Sequence, residues 1–333
     1  MLLNLKKSAI LGGMALTLFA SAASAQTMII ATDRVGTTFN AIGSGIAKVV
    51  TESSPARVIV RPFGGPDAFL GGFDNGELQL ATLSSSSTFW AASGKNPSGK
   101  KYANMRIIRA GAGGVRLTLA VPKDSDIKRI ADLKGRKVAS DYGGHAVIPT
   151  SVSAALATGG LTWNDVKQVP VTGAVEGVRQ IGEGRLDAAW AAFGMPIARE
   201  VHAKIGLRYL SFEATPDSLA TLRKMIFPGA QLVTMKANPK VGLETDTNFI
   251  SYESYLLAHK DVDDASIKAV LAALWDNTDT LTKIHRGLKG FTNDYAVSTL
   301  PVVAYHPAAI DFYKEKGVWT KEADMANANP MVK

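Results

Sequence analysis

The chain has 333 residues, 46% of them hydrophobic and 20% charged, with a formal net charge of +8 and no cysteine. This is an ordinary globular composition, and it excludes disulfides and thiolate metal sites. The basic residues, such as Lys123, Lys128, Arg129, Lys134, Arg136 and Lys137, interleave with acids. They read as a solvated face rather than a nucleic-acid patch, while a mild positive field still helps to collect anions.

Residues 1–25 read as a secretory leader. Lys6 and Lys7 precede an apolar core from Ala9 to Ala20, and Ala23-Ser24-Ala25 supplies the cleavage site. The core is too short to span a bilayer, and no cysteine stands at the cleavage point to carry a lipid anchor. The expected location is the periplasm, as a soluble monomer.

The mature chain then alternates strand, turn and helix. A strand at Met28–Thr32 leads through Asp33–Thr38 into a helix, Phe39–Val50, with Ile42, Ile46, Val49 and Val50 on one face. Thr37 or Thr38 can cap it. Arg57–Arg61 is a strand that runs into Pro62–Pro66 and a helix over about Asp67–Asn75. Leu78–Leu83 is a strand followed by the serine run Ser84–Ser87. Such alternation predicts a parallel sheet with helices packed on it, and ligands then sit beyond the carboxyl ends of the strands.

Met105–Ala110 and Leu117–Val121 read as two strands joined by Gly111–Gly114. After Pro122 comes a short charged helix ending at Gly135, then a strand at Lys137–Ser140. The turn Asp141-Tyr142-Gly143-Gly144-His145 enters a small-residue helix, where Pro149 is tolerated near the start. A glycine turn feeding a helix N-terminus attracts anions. Further α/β units follow: a strand Gln168–Thr172, a helix Ala174–Glu183, a strand Leu186–Ala192, a helix Pro196–Ile205, a strand Leu207–Phe212 and a helix Pro216–Ile226. The long strand Asn248–Ala258 and the helices Ala265–Leu281 and Ala308–Lys316 suit a chain returning to its first lobe. Two crossings, near Leu117–Val121 and Asn248–Ala258, would form a hinge. The expected division is residues 26–121 with 246–333 in lobe 1, and 122–245 in lobe 2.

Several segments resemble the TAXI branch of TRAP-transporter solute-binding proteins. They are Val35-Gly36-Thr37-Thr38-Phe39, Pro122–Ser125 with Ile130–Val138, Leu161–Val166, Glu183–Ala188 and, most specifically, Tyr305-His306-Pro307-Ala308-Ala309-Ile310 with Phe312–Gly317. Ala308 stands where that family usually has glycine, and Tyr142–Val147 and the serine run depart from its binding turns. The likeness covers about Met28 to Trp319. It implies a type II periplasmic-binding-protein fold, with two α/β lobes closing on a small organic anion. It also implies delivery to a TRAP-type membrane permease, with glutamate, 2-oxoglutarate and related dicarboxylates as the usual ligands.

The residues expected to bind the ligand are Gly36, Thr37, Thr38, Phe39, Ser84, Ser85, Ser86, Arg116, Tyr142, Gly144, His145 and Phe193. The turns supply N–H and hydroxyl donors. Arg116, just before the expected hinge strand, can grip a carboxylate bidentately or make a surface ion pair. His145 can donate to the ligand or stand exposed. Trp190 is expected in the core and Phe193 at the cleft. Arg34 and Arg61 read as surface charges and His306 as structural. His202, His259 and His285 lack partners at metal spacing, so neither metal nor cofactor is expected. An enzyme on this scaffold would need a nucleophile–base pair, a metal triad or paired carboxylates, and neither G-x-S-x-G nor H-E-x-x-H occurs. The remaining alternatives are an ABC-type importer subunit for an organic acid and a sensor feeding a membrane receptor.

Overall fold

The computed structural model describes residues 27–332, so the leader lies outside the described residues. Strand β1 (Thr27–Thr32) leads into helix α1 (Thr38–Ser53), whose buried stripe includes Ile42, Ile46, Val49 and Val50. Thr37 caps α1, its Oγ1 accepting the Asn40 N–H at 3.1 Å. Strand β2 (Arg57–Pro62) is followed by a 3-10 turn at Pro66–Ala68 and a short helix, α2 (Leu70–Asp74). Strand β3 (Leu80–Ser84) passes directly into α3 (Ser85–Ser93), because Ser84 accepts the Ser87 N–H at 3.0 Å and starts a helix at once. The serine run is therefore helical rather than a turn.

One strand, β4 (Met105–Pro122), replaces the two expected there. Strand β5 (Lys137–Asp141), α4 (Val147–Thr158), β6 (Lys167–Val171), α5 (Ala174–Gly182), β7 (Ala189–Ala192), α6 (Pro196–Ile205), β8 (Leu207–Tyr209) and α7 (Pro216–Met225) continue the alternation. The charged helix before Gly135 shrinks to a 3-10 turn at Ile130–Leu133. Strand β9 (Gln231–Met235), not expected from the sequence, precedes the long β10 (Thr247–His259). The long helix after it breaks at Asn277 into α8 (Asp264–Asp276) and α9 (Thr278–Ile284). Helices α10 (Pro307–Glu315) and α11 (Lys321–Ala328) end the chain, the last also unexpected.

The main sheet runs β2-β1-β3-β10-β4-β7, with β8 on β4 and β9 on β10. Strands β1, β2 and β3 are parallel, and β10 is antiparallel to β3 and β4. A smaller parallel pair, β5-β6, builds the other lobe, and a bridge from Val138 to Ala188 places it beside the chain entering β7. The long strands β4 and β10 belong to both lobes. Their pairing shifts register where Gly111 faces Ser254 and Val115 faces Tyr252, so Ala112–Gly114 bulge opposite the single residue Glu253. This is why the glycine run does not end the strand. The Phe291 ring fills the space that a side chain on Gly111 would need.

Candidate ligand-binding site

A cavity of about 70 Å³ lies between the lobes on one face of the hinge strands. Its floor is Val115 and Leu117 of β4, Trp190 and Ala192 of β7, and Tyr252 of β10. Leu117 pairs with Ala192 and Leu119 with Trp190, so alternate residues of neighbouring strands face the same way. Side chains from the β1–α1 turn and the start of α3 form one wall. The starts of α4 and α5, with Met195, form the other.

The lobes are closed over this space. The Asp67 N–H donates to the Gly144 carbonyl at 3.2 Å, and the Ala146 N–H to Asp67 Oδ2 at 2.9 Å. At the opposite rim the Ile197 N–H donates to the Gly36 carbonyl at 3.4 Å. A side-chain carbon on Gly36 would stand 3.5 Å from Val175, and one on Gly65 would collide with the Gly144 carbonyl.

Four helix N-termini converge on the cavity, those of α1, α3, α4 and α5, each lending residues of its first turn or cap to the wall. Helix starts carry partial positive charge and free N–H groups. No acid occupies the first turn of α1, α3 or α4, and α4 and α5 begin without a side-chain cap. The arrangement can bind an anion through backbone donors. Ser84, Ser86 and Ser87 add hydroxyls, linked at 2.9 and 3.0 Å through Ser84.

Asp33, at the end of β1, faces this field with its carboxyl buried; the residue is 6% exposed. Its Oδ1 has no hydrogen-bond partner among the described residues, and its Oδ2 lies 3.9 Å from Nδ1 of His145 across the cleft. Burial pushes the Asp33 pKa up; the His145 charge opposes this and that of Asp67 adds to it. Arg34 also lines the cavity, its Nε donating to the Gly64 carbonyl at 3.4 Å, and Phe39, Val147, Ile148, Val175 and Met195 supply the apolar part of the wall.

Of the residues expected from the sequence, the structure brings Thr37, Thr38, Phe39, Ser84, Ser86 and His145 together on the cavity wall. Gly36 and Gly144 sit at the rims as closing contacts, and Ser85 is buried behind its neighbours. Three residues are elsewhere. Tyr142 is buried in lobe 2, where its hydroxyl accepts the Trp190 N–H at 2.8 Å, so it braces a floor residue from behind. Burial raises its pKa. Arg116 and Phe193 lie on the opposite face of the sheet, because Val115, Leu117, Trp190 and Ala192 take the cavity face and strand alternation sends their neighbours away. Phe193 packs there on Tyr209 and Phe249, with ring centroids at 5.4 and 5.6 Å. Trp190 is buried in the core as expected and also reaches the cavity floor, whereas Phe193 is not at the cleft. Sequence reasoning missed Asp33, Ser87, Ser151 and the Gly173–Val175 turn, and Arg34, read as a surface charge, also lines the cavity. The position of Asp33 at a strand's carboxyl end was the available signal.

A family model described as NMT1-like matches residues 30–317. The chain belongs to the NMT1-like family. Among solved structures, a periplasmic transporter is similar over 92% of this chain and 96% of its own, at 15% identity and a TM-score of 0.55. A protein from Bordetella bronchiseptica RB50 is similar over 91% and 97%, at 16% identity and a TM-score of 0.51. The alkanesulfonate-binding protein SsuA from Xanthomonas axonopodis pv. citri, bound to MOPS, aligns over 90% and 96%, at 15% identity and a TM-score of 0.47. The fold of this NMT1-like chain is that of a type II periplasmic solute-binding protein. No helix among the described residues is long and apolar enough to cross a membrane.

Proposed function

We propose that the protein is the solute-binding subunit of a membrane importer. It captures a small organic carboxylate in the periplasm and delivers it to a TRAP-type permease, the partner that the TAXI resemblance implies. The observation that carries this reading is the convergence of four helix starts on a closed cavity between two lobes. In this reading the lobes comprise residues 26–121 with 246–333, and 122–245, and closure is a bend in β4 and β10. The counter-charge comes from backbone dipoles and Arg34, which lines the cavity, rather than from Arg116, which does not.

The unpartnered Oδ1 of Asp33 asks for a donor from the ligand. An ammonium beside the carboxylate meets that need, and the apolar wall accepts a short hydrocarbon body. Within the organic acids this favours a small amino acid over the matching 2-oxo acid.

A thermal-shift screen of the mature protein tests the reading, using amino acids, 2-oxo acids including 2-oxoglutarate, C4-dicarboxylates, aromatic acids and neutral sugars. A ligand at 100 times its Kd stabilises by about 2.7 kcal/mol. A shift with an acid and none with sugars is the expected result. A shift with neutral compounds alone would sink the carboxylate assignment.

A further inference from the structure

Arg116, displaced from the ligand cavity by strand alternation, helps to form a second depression of about 610 Å³ on the back of the same hinge strands. Small-molecule sites typically measure roughly 300–1,000 Å³ and combine aromatic walls with a few charged groups. The walls here include Phe193, Met235 and Tyr295, together with Arg116, Arg286 and Lys289. The Arg286 guanidinium stacks on the Phe193 ring at 4.7 Å from its centroid, in space left open because residue 194 is glycine.

Three cations gather here without a counter-ion. None of the ion pairs among the described residues includes Arg116, Arg286 or Lys289. Arg116 is partly buried. That burial, followed by the charge of Arg286, holds its guanidinium below the ordinary arginine pKa. Like charges facing one another in a partly desolvated hollow are unfavourable unless an anion joins them.

We propose that this back-face depression is a second anion site, taking an organic polyanion with two or more carboxylate or phosphate groups. Guanidinium forks suit both group types, and the exposed Tyr295 ring offers a face to the carbon skeleton. The walls come from both lobes: Gln231 and Met235 belong to β9, whereas Ala112, Gly113 and Gly290 border the bulge and its packing. Arg116 itself stands between Val115 and Leu117, which floor the ligand cavity. The site therefore adjoins the hinge and is independent of which solute fills the front cleft.

The test is isothermal titration of the mature protein with citrate and, separately, with inorganic pyrophosphate. The two arms distinguish carboxylate from phosphate recognition. The expected result is saturable one-to-one binding of at least one probe with a Kd below about 1 mM. Arg116→Gln and Arg286→Gln should each weaken it by about ten-fold or more, while Lys48→Gln, an equal charge change on α1, leaves it unaltered. Should Arg116→Gln fail to fold, the exposed Lys289→Gln should give the same direction of loss. Absence of saturable binding by both probes, indifference to the Arg286 and Lys289 substitutions, or an equal loss in Lys48→Gln would overturn the proposal.

Discussion

Gly65 of one lobe lies against the carbonyl of Gly144 of the other so closely that no side-chain carbon fits between them. The obstacle is backbone on both sides, which cannot swing aside as a long side chain would. Gly65→Ala is therefore expected to hold the cleft ajar. Ligand affinity should fall by about ten-fold or more, since only the closed fraction is competent, and the ligand-free Tm should fall as well, because Gly65 holds φ +158°. Calorimetric titration and small-angle scattering with and without ligand check this. Unchanged affinity and full compaction would show that the two glycines do not govern closure.

Asp33 should read the ligand's amino group. Asp33→Asn is expected to weaken an amino acid by about 10- to 100-fold, the scale of a hydrogen bond to a charged group, and to spare or improve the 2-oxo acid. Because burial raises the Asp33 pKa above 3.8, the folded state prefers the protonated form. Its contribution to stability is full below the unfolded pKa and falls as pH rises through the folded value. Asp33→Asn should accordingly raise the ligand-free Tm at neutral pH. Binding an ammonium lowers that pKa, so near it an amino acid releases a proton, whereas a 2-oxo acid takes one up. Titrations in buffers of different ionisation enthalpy measure the sign.

His306 caps α10, its Nδ1 accepting the Ala308 N–H at 3.2 Å. That role requires the neutral ring, and burial, the largest influence, lowers its pKa below 6.5. The sign is opposite to that of Asp33: the contribution is full above the unfolded pKa and is lost as pH falls through 6.5 toward the folded value. His306→Asn should keep a cap and flatten this part of the Tm–pH profile. His306→Ala should cost about 1 kcal/mol at neutral pH. A wild-type slope persisting in His306→Asn would assign it to another group.

Arg109 is fully buried in lobe 1, and its Nη2 donates to Thr278 Oγ1, the Phe291 carbonyl and Asn293 Oδ1 at 3.0, 2.9 and 2.8 Å. It thereby ties β4 to the segment after α8. Arg109→Ala removes all three donor contacts and opens a cavity but also relieves the buried Nε and Nη1, which lack partners among the described residues, so a net loss of about 1–3 kcal/mol is expected by chemical denaturation. A loss below about 1 kcal/mol would mean that the segment is held by its apolar packing alone.

The alternation of strand, turn and helix was legible because each unit carries its own local markers. Thr37 caps where a cap was expected, and helix Pro196–Ile205 has the bounds read from the sequence. Parity along the hinge strands was not legible. Gly111–Gly114 reads as a break, yet β10 pairs on both sides of it and absorbs the excess as a bulge. Once β4 is continuous, Val115 and Leu117 take one face and Arg116 the other. Local pattern carries no information about which face the second lobe will cover, so Arg116 and Phe193 were assigned to the wrong side. Asp33 was passed over because a turn aspartate ordinarily stays in water, whereas here its carboxyl is buried opposite His145.

The bulge at Ala112–Gly114 also determines the mechanics of opening. Two lobes joined by loose threads would swing freely, whereas these share a hydrogen-bonded ladder through β4 and β10 whose register slips at Ala112–Gly114 and again between Leu256 and Leu257. Such a joint is a flexure, with a rest angle and a stiffness. The Phe291 ring wedged at Gly111 sits beside this bulge, so under the proposed bend the segment that carries it bears on the stiffness of the joint, although it lines no part of the cavity.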